Sequence, residues 1–137
     1  MINFHFENIE KLDINDKSIE WIEKIIQTEN YKKGEINYIF CDDEYLLKIN
    51  QEYLQHDYYT DIITFDYVKG KTVAGDIFVS LQRINDNAIS HKKDFDNEFH
   101  RVLAHGILHL CGYKDKTESE EKLMRNKEDF YLNLLQK

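Results

Sequence analysis

Apolar and polar positions alternate at the start of the chain, in Ile2-Asn3-Phe4-His5-Phe6, with the two-residue period of a half-buried strand. The period then lengthens. Ile19, Ile22, Ile25 and Ile26 recur at helical spacing, which predicts a helix capped by Asp16 or Ser18 and running to Tyr31. Gly34 restarts the chain, and residues 35–41 (EINYIFC) read as a second strand, rich in residues suited to a pleated surface. Asp42-Asp43 open a second helix with Leu46, Leu47, Ile49 and Tyr53 on its inner side. Two strand-like runs follow, residues 61–68 (DIITFDYV) and 73–80 (VAGDIFVS), with Lys69-Gly70-Lys71 as the turn between them. A helix is expected from Ser80 to about His91. Another starts at Asp94 or Asp96, carries Phe99, Val102, Leu103, Ile107 and Leu108, and stops at Gly112. Thr117-Glu118-Ser119-Glu120 has the make-up of a helix start with acids in its first turn, followed by Leu123, Met124, Phe130 and Leu134 as an inner face.

The order β-α-β-α-β-β-α-α-α predicts an α/β (α+β) fold, a small mixed sheet of about four strands covered by helices. Proline is absent, the five glycines are scattered and no repeat is visible, so residues 1–137 are expected to form a single domain. Apolar residues at 42% and charged residues at 32% exclude a disordered chain. No run of apolar residues is long enough to span a bilayer, and the N-terminus does not resemble a signal peptide. Two cysteines make no disulfide framework, so a cytoplasmic, reducing setting is expected.

The formal charge is −8, but it is unevenly spread. Residues 1–60 hold 13 acidic and 6 basic side chains, whereas 69–116 hold 8 basic and 6 acidic. Bulk charge therefore argues against nonspecific nucleic-acid binding and leaves room for a local basic surface in the second half.

The chemistry concentrates in His105-Gly-Ile-Leu-His109-Leu-Cys-Gly112-Tyr-Lys-Asp115. Histidines four apart on a helix share a face. A cation such as zinc accepts both imidazoles at about 2.0–2.1 Å. Gly112 can adopt the left-handed conformation that ends the helix and returns the chain, bringing Asp115 within reach as a third donor. Three protein ligands leave a position for water, the mark of a catalytic rather than a structural zinc site. The histidine pair alone would fit two ordinary helix histidines equally well; the glycine and the third donor favour a metal-binding helix near the C-terminus.

The same segment resembles the signature H-G-x-L-H-L-x-G-Y-D-H of the YbeY-type rRNA maturation endoribonucleases. Asn50-Gln-Glu-Tyr53, Asp57 and Thr60-Asp61-Ile-Ile-Thr-Phe65 are similar to the family's N-x-x-Y-R-x-x-D-x-P-T-D-V-L-S-F, and Gly75-Asp76-Ile77-Phe78-Val79-Ser80 to its G-D-I-x-I-S strand. The three blocks stand in family order over essentially the whole chain. The resemblance implies a monomeric metal-dependent endoribonuclease, with one Zn2+ on His105, His109 and Asp115. Its implied substrate is ribosomal RNA, at the 3′ end of the small-subunit (16S) RNA, and its implied partners are the small ribosomal subunit or its factors. Three positions depart from the pattern: Lys114-Asp115 replaces Asp-His, Leu54 replaces the arginine, and Tyr59 replaces the proline. Without that arginine, phosphate contacts fall to neighbouring bases, and Arg83, Lys92, Lys93 and Arg101 are the candidates. No general base is evident; Asp61 and Asp76 are candidates if the fold brings them near the ion, and Lys114 is a further candidate catalytic residue, as a cation that with Arg83 or Arg101 stands in for the arginine at the phosphate.

Two other readings fit part of the pattern. The spacing of His105, His109, Gly112 and Asp115 matches a zinc peptidase, but that chemistry needs a glutamate where Gly106 stands. A ribosome-associated RNA-binding factor with a structural metal fits the net acidity. His5, His56, His91 and His100 are expected as surface or strand histidines. Glu98 is expected at the surface, or else orienting an imidazole from two turns away. Trp21 and Cys111 are expected to pack inward, and Tyr58, Tyr59 and Tyr67 to be available for stacking on bases.

Overall fold

The computed structural model describes residues 1–56 and 60–135. The opening alternation forms β1 (Ile2–Glu7), and the isoleucine stripe forms α1 (Asp16–Thr28). Asn15 caps α1, its side chain accepting the Ser18 N–H at 3.0 Å, so the cap lies one residue before the earlier of the two expected positions. The helix also ends before Tyr31, because Asn30 turns into the left-handed region at φ 66° and breaks the hydrogen-bond ladder. β2 (Lys32–Cys41) begins ahead of Gly34 rather than after it. Lys32 already pairs with Thr72, and the register shifts between Lys33 and Ile36. A Cβ at Gly34 would lie 2.7 Å from the Val73 carbonyl, so the glycine belongs to an irregularity within the strand.

α2 (Asp43–Leu54), capped by Asp42, leads to β3 (Ile62–Asp66) and β4 (Thr72–Ser80). Three helices complete the chain: α3 (Leu81–Ser90), α4 (Phe95–Leu110) and α5 (Glu118–Leu135). Ser80 caps α3 and Asp94 caps α4. At α5, Thr117 Oγ1 accepts the Glu120 N–H while a Glu120 oxygen accepts the Thr117 N–H, satisfying two otherwise orphaned donors.

The sheet order is β1-β2-β4-β3, with β1, β2 and β4 parallel and β3 antiparallel to β4. This is the expected mixed sheet of four strands. Ile36, Tyr38, Phe40, Val73, Ile77 and Val79 point to one face and pack against α1 and α4, on which α5 in turn packs. The opposite face receives Leu46 of α2 over Cys41 and Ile63.

Tyr53 is 64% exposed, against expectation, and lies edge-on to Phe65. α5 buries part of the expected face, with Met124 inside and Leu134 packed against the core, but Glu128, Tyr131 and Leu132 complete the inner stripe while Leu123 and Phe130 are about half exposed. The buried stripe contains a glutamate, so a count of apolar residues alone does not centre it. Among the described residues, no helix is long and apolar enough to cross a membrane.

α4 is the central helix, and Gly106 sits where it crosses the sheet. A Cβ there would meet Ile77 Cγ2 at 2.9 Å and Ile62 Cδ1 at 3.2 Å. Gly106→Ala is therefore expected to destabilise the protein by about 1–3 kcal/mol through overpacking. A denaturant titration with the native midpoint would show that the helix is not held this tightly.

Candidate metal centre and adjoining cavity

α4 places His105 and His109 one turn apart on the side that emerges from the core. The helix ends in a double clasp in which Gly112 N–H donates to the His109 carbonyl and Tyr113 N–H to that of Leu108, both at 3.0 Å. Gly112 makes this possible at φ 98°, a conformation that a side chain would strain. The chain then folds back over its own last turn. His109 Nε2 lies 2.9 Å from His105 Nε2, and Asp115 Oδ2 lies 3.2 and 3.3 Å from the two nitrogens. For a tetrahedral ion with bonds of about 2.0–2.1 Å, ligand atoms stand about 3.3 Å apart.

The outer ring nitrogens explain why the donor set suits a cation. His105 Nδ1 donates to Glu128 Oε2 at 2.7 Å, and His109 Nδ1 donates to the Tyr113 carbonyl at 3.0 Å. Each ring then presents a lone pair at Nε2, and the third atom is a carboxylate oxygen. With both rings neutral, three acceptors face one another, an arrangement that a divalent ion, or a proton on His105 Nε2, resolves. Among the described residues this is the one His/Cys/Asp/Glu group close enough to hold a metal. Without an ion the two imidazoles respond in opposite directions. Burial pushes the His105 pKa down, but hydrogen bonding to Glu128 and the charges of Glu128, Asp115 and Asp61 outweigh it and raise it. Burial and the charge of His105 lower that of His109.

A scan against family models matches residues 3–136 to Endoribonuclease YbeY. The chain belongs to the YbeY endoribonuclease family. It is 56% identical over 129 residues to Endoribonuclease YbeY of Flavobacterium johnsoniae, covering 94% of this chain and 93% of that one. It is 57% identical over 116 residues to that of Cytophaga hutchinsonii, covering 83% and 80% respectively. A solution structure from Thermotoga maritima superposes with a TM-score of 0.73 at 26% identity, over 98% of this chain and 89% of that one.

Around this candidate centre of the YbeY family member, carboxylates from distant segments hold the three donor groups in place. Glu128 on α5 bridges His105 and Arg101, which donates to Glu128 Oε1 at 2.8 Å and to Asp129 at 2.6 Å. Glu29, at the end of α1, accepts from the hydroxyls of Tyr113 and Tyr131 and from Lys127, which fixes the loop whose carbonyl orients His109. Neither acid stands out in the sequence. Glu128 could have been found as the polar member of a buried helical stripe; Glu29 leaves no comparable sign.

A cavity of about 230 Å³ adjoins the centre, lined by Asp61, Asn87, His91, Glu98, His105, Asp115 and Glu128 among others. Asp61, just before β3, thus faces the YbeY centre, with its pKa raised by burial although the charge of His105 pulls the other way. Asp76 does not: on the opposite face of the sheet it accepts from Asn37 at 3.1 Å. Lys114 is exposed beside Asp115. Lys92 and Lys93 are exposed in the α3–α4 loop, next to the cavity-lining His91. Arg83 is paired with Asp43 at 2.7 Å and is not part of the cavity lining, although its charge acts on Asp61. Arg125, which no motif in the sequence marks, lines the cavity from α5.

Two expectations are corrected. Glu98 is buried, at 5% exposure, and the carboxylate that orients His105 comes from α5. His100 is buried too, its Nε2 2.7 Å from the Ser18 hydroxyl and its Nδ1 donating to the Asp96 carbonyl. Trp21 and Cys111 pack inward as expected, and burial pushes the Cys111 thiol up to about 12, which disfavours a thiolate ligand. His5 lies against Asn37 on the sheet, His56 and Tyr67 are exposed, and Asp57, Tyr58 and Tyr59 fall outside the described residues.

Proposed function

We propose that this chain is a metal-dependent endoribonuclease that processes ribosomal RNA, in particular the 3′ end of the small-subunit RNA. A single divalent ion, zinc by the nature of its donors, is held by His105, His109 and Asp115. The observation that carries this reading is the convergence of two Nε2 lone pairs and a carboxylate oxygen within about 3 Å of one another, with both outer ring nitrogens committed as donors. Bound there, the ion supplies Lewis acidity that offsets charge building on the scissile phosphate. Asp61, lining the cavity, holds or releases a proton at its carboxylate, a role that its raised pKa suits. Lys92, Lys93 and Arg125, on elements flanking the cavity, hold the RNA backbone by charge. Arg101 acts through Glu128, as a positioning residue.

The peptidase alternative loses its base: the residue after the first histidine is Gly106, directed at Ile77 in the core. An RNA-binding factor with a structural metal remains as an outcome of the test. Protein stripped with a chelator is expected to stop cutting a precursor of the small-subunit RNA 3′ end, and one equivalent of zinc to restore cutting. Metal-loaded protein that binds this RNA without cutting it would replace the enzyme by the binding factor.

A further inference from the structure

The Glu98 carboxylate is a group the nuclease reading does not use. Its side chain is 7% exposed, it lines the cavity beside the metal centre, and its closest charged partner is His91 Nδ1 at 3.8 Å. That separation is beyond hydrogen-bond reach. The neighbouring guanidinium is unavailable, since Arg101 is turned toward Glu128 and Asp129. A ligand in the cavity that donates to this carboxylate gives it the hydrogen bonds that the protein does not. Glu98 stands two helical turns before His105, about 10 Å along the axis. That span is comparable with the reach from a phosphate to the far edge of the same nucleotide's base.

We infer that this cavity receives a base of the RNA, and that Glu98 reads it as guanine through the Watson–Crick edge. The inference rests on the nuclease reading for its substrate class. Guanine presents two adjacent N–H donors, at N1 and N2, which match the two oxygens of one carboxylate. Adenine and cytosine each set one amino donor beside a ring lone pair that would face a carboxylate oxygen. Uracil flanks its one N–H with two carbonyls. Single-stranded RNA offers these edges to a protein, and a bidentate match discriminates between bases by about tenfold or more. Asn87 and Asp61, joined at 3.5 Å in the same lining, supply further polar contacts.

The test is binding of 5′-monophosphates to the zinc-loaded protein, followed by calorimetry or NMR titration. GMP is expected to bind at least about tenfold more tightly than AMP, CMP or UMP, with IMP, which lacks the 2-amino group, in between. Glu98→Gln presents one acceptor and one donor, which fits the N1/N6 edge of adenine. It is expected to abolish the GMP preference and bind AMP at least as well as GMP. Equal binding of the four common nucleotides by the native protein would overturn the inference, whether or not the variant folds. So would a folded Glu98→Gln protein that keeps the preference. RNA cleavage measured in parallel separates the two readings. A GMP preference without cleavage supports the base pocket while removing the nuclease; cleavage with no base preference removes the pocket alone.

Discussion

His109→Ala is expected to lose bound metal and RNA cleavage together, with a fall in rate of about three orders of magnitude or more, while the protein stays folded. His109 stands at the rim of the centre, with its side chain 23% exposed, so removing it opens no cavity in the core. Its Nε2 is one of the three converging donors, and its Nδ1 contact is with a loop carbonyl that water can satisfy. The apo variant should therefore unfold within about 1 kcal/mol of the native apo protein. Elemental analysis after gel filtration, a denaturant titration and a cleavage assay check the three parts. A folded variant that still cuts RNA at the native rate would rule out catalysis through this centre.

Glu128→Gln is expected to weaken metal binding by about 10–100-fold without touching a ligand. The Glu128 side chain is 6% exposed, and its two oxygens take separate donors, Arg101 and His105 Nδ1. A carboxamide has one acceptor. If its oxygen keeps Arg101, its amino group faces the His105 Nδ1 proton, and the ring must move that proton to Nε2, where the metal binds. If the amide turns over, two donors meet at Arg101. Either way a buried partnership is broken, and stability should fall by an amount on the order of 3 kcal/mol, reduced by the partial exposure of the guanidinium. Metal affinity by competition with a chelator and a thermal melt read the two effects separately. Native affinity in the variant would show that Glu128 does not set the ring's tautomer.

Much of the fold was legible because its signals are local. The caps at Asp42, Ser80, Asp94 and Thr117 are read from a side chain and an N–H three residues on, so the starts of four helices fell at or beside the expected residues. The parallel and antiparallel strands were each visible as short runs of pleat-forming residues. The misses share a different origin. Tyr53 and Phe130 are large and apolar and were placed inside by composition, but whether a face is covered depends on what packs against it. Glu98 and His100 were placed outside for the converse reason; both are buried because other segments close over α4.

By itself, the sequence picked out the three donors that this YbeY family member brings together: His105 and His109 by helical period, and Asp115 by the glycine that returns the chain. Tertiary structure alone decided what surrounds them. Glu128 reaches His105 across 23 residues, and Glu29 reaches Tyr113 across 84. Partnerships at such separations follow from how helices pack, and packing leaves no period along the chain from which to read them. The three donors could be found by counting residues, whereas the carboxylates that fix their protons became visible only once α1 and α5 had closed on α4.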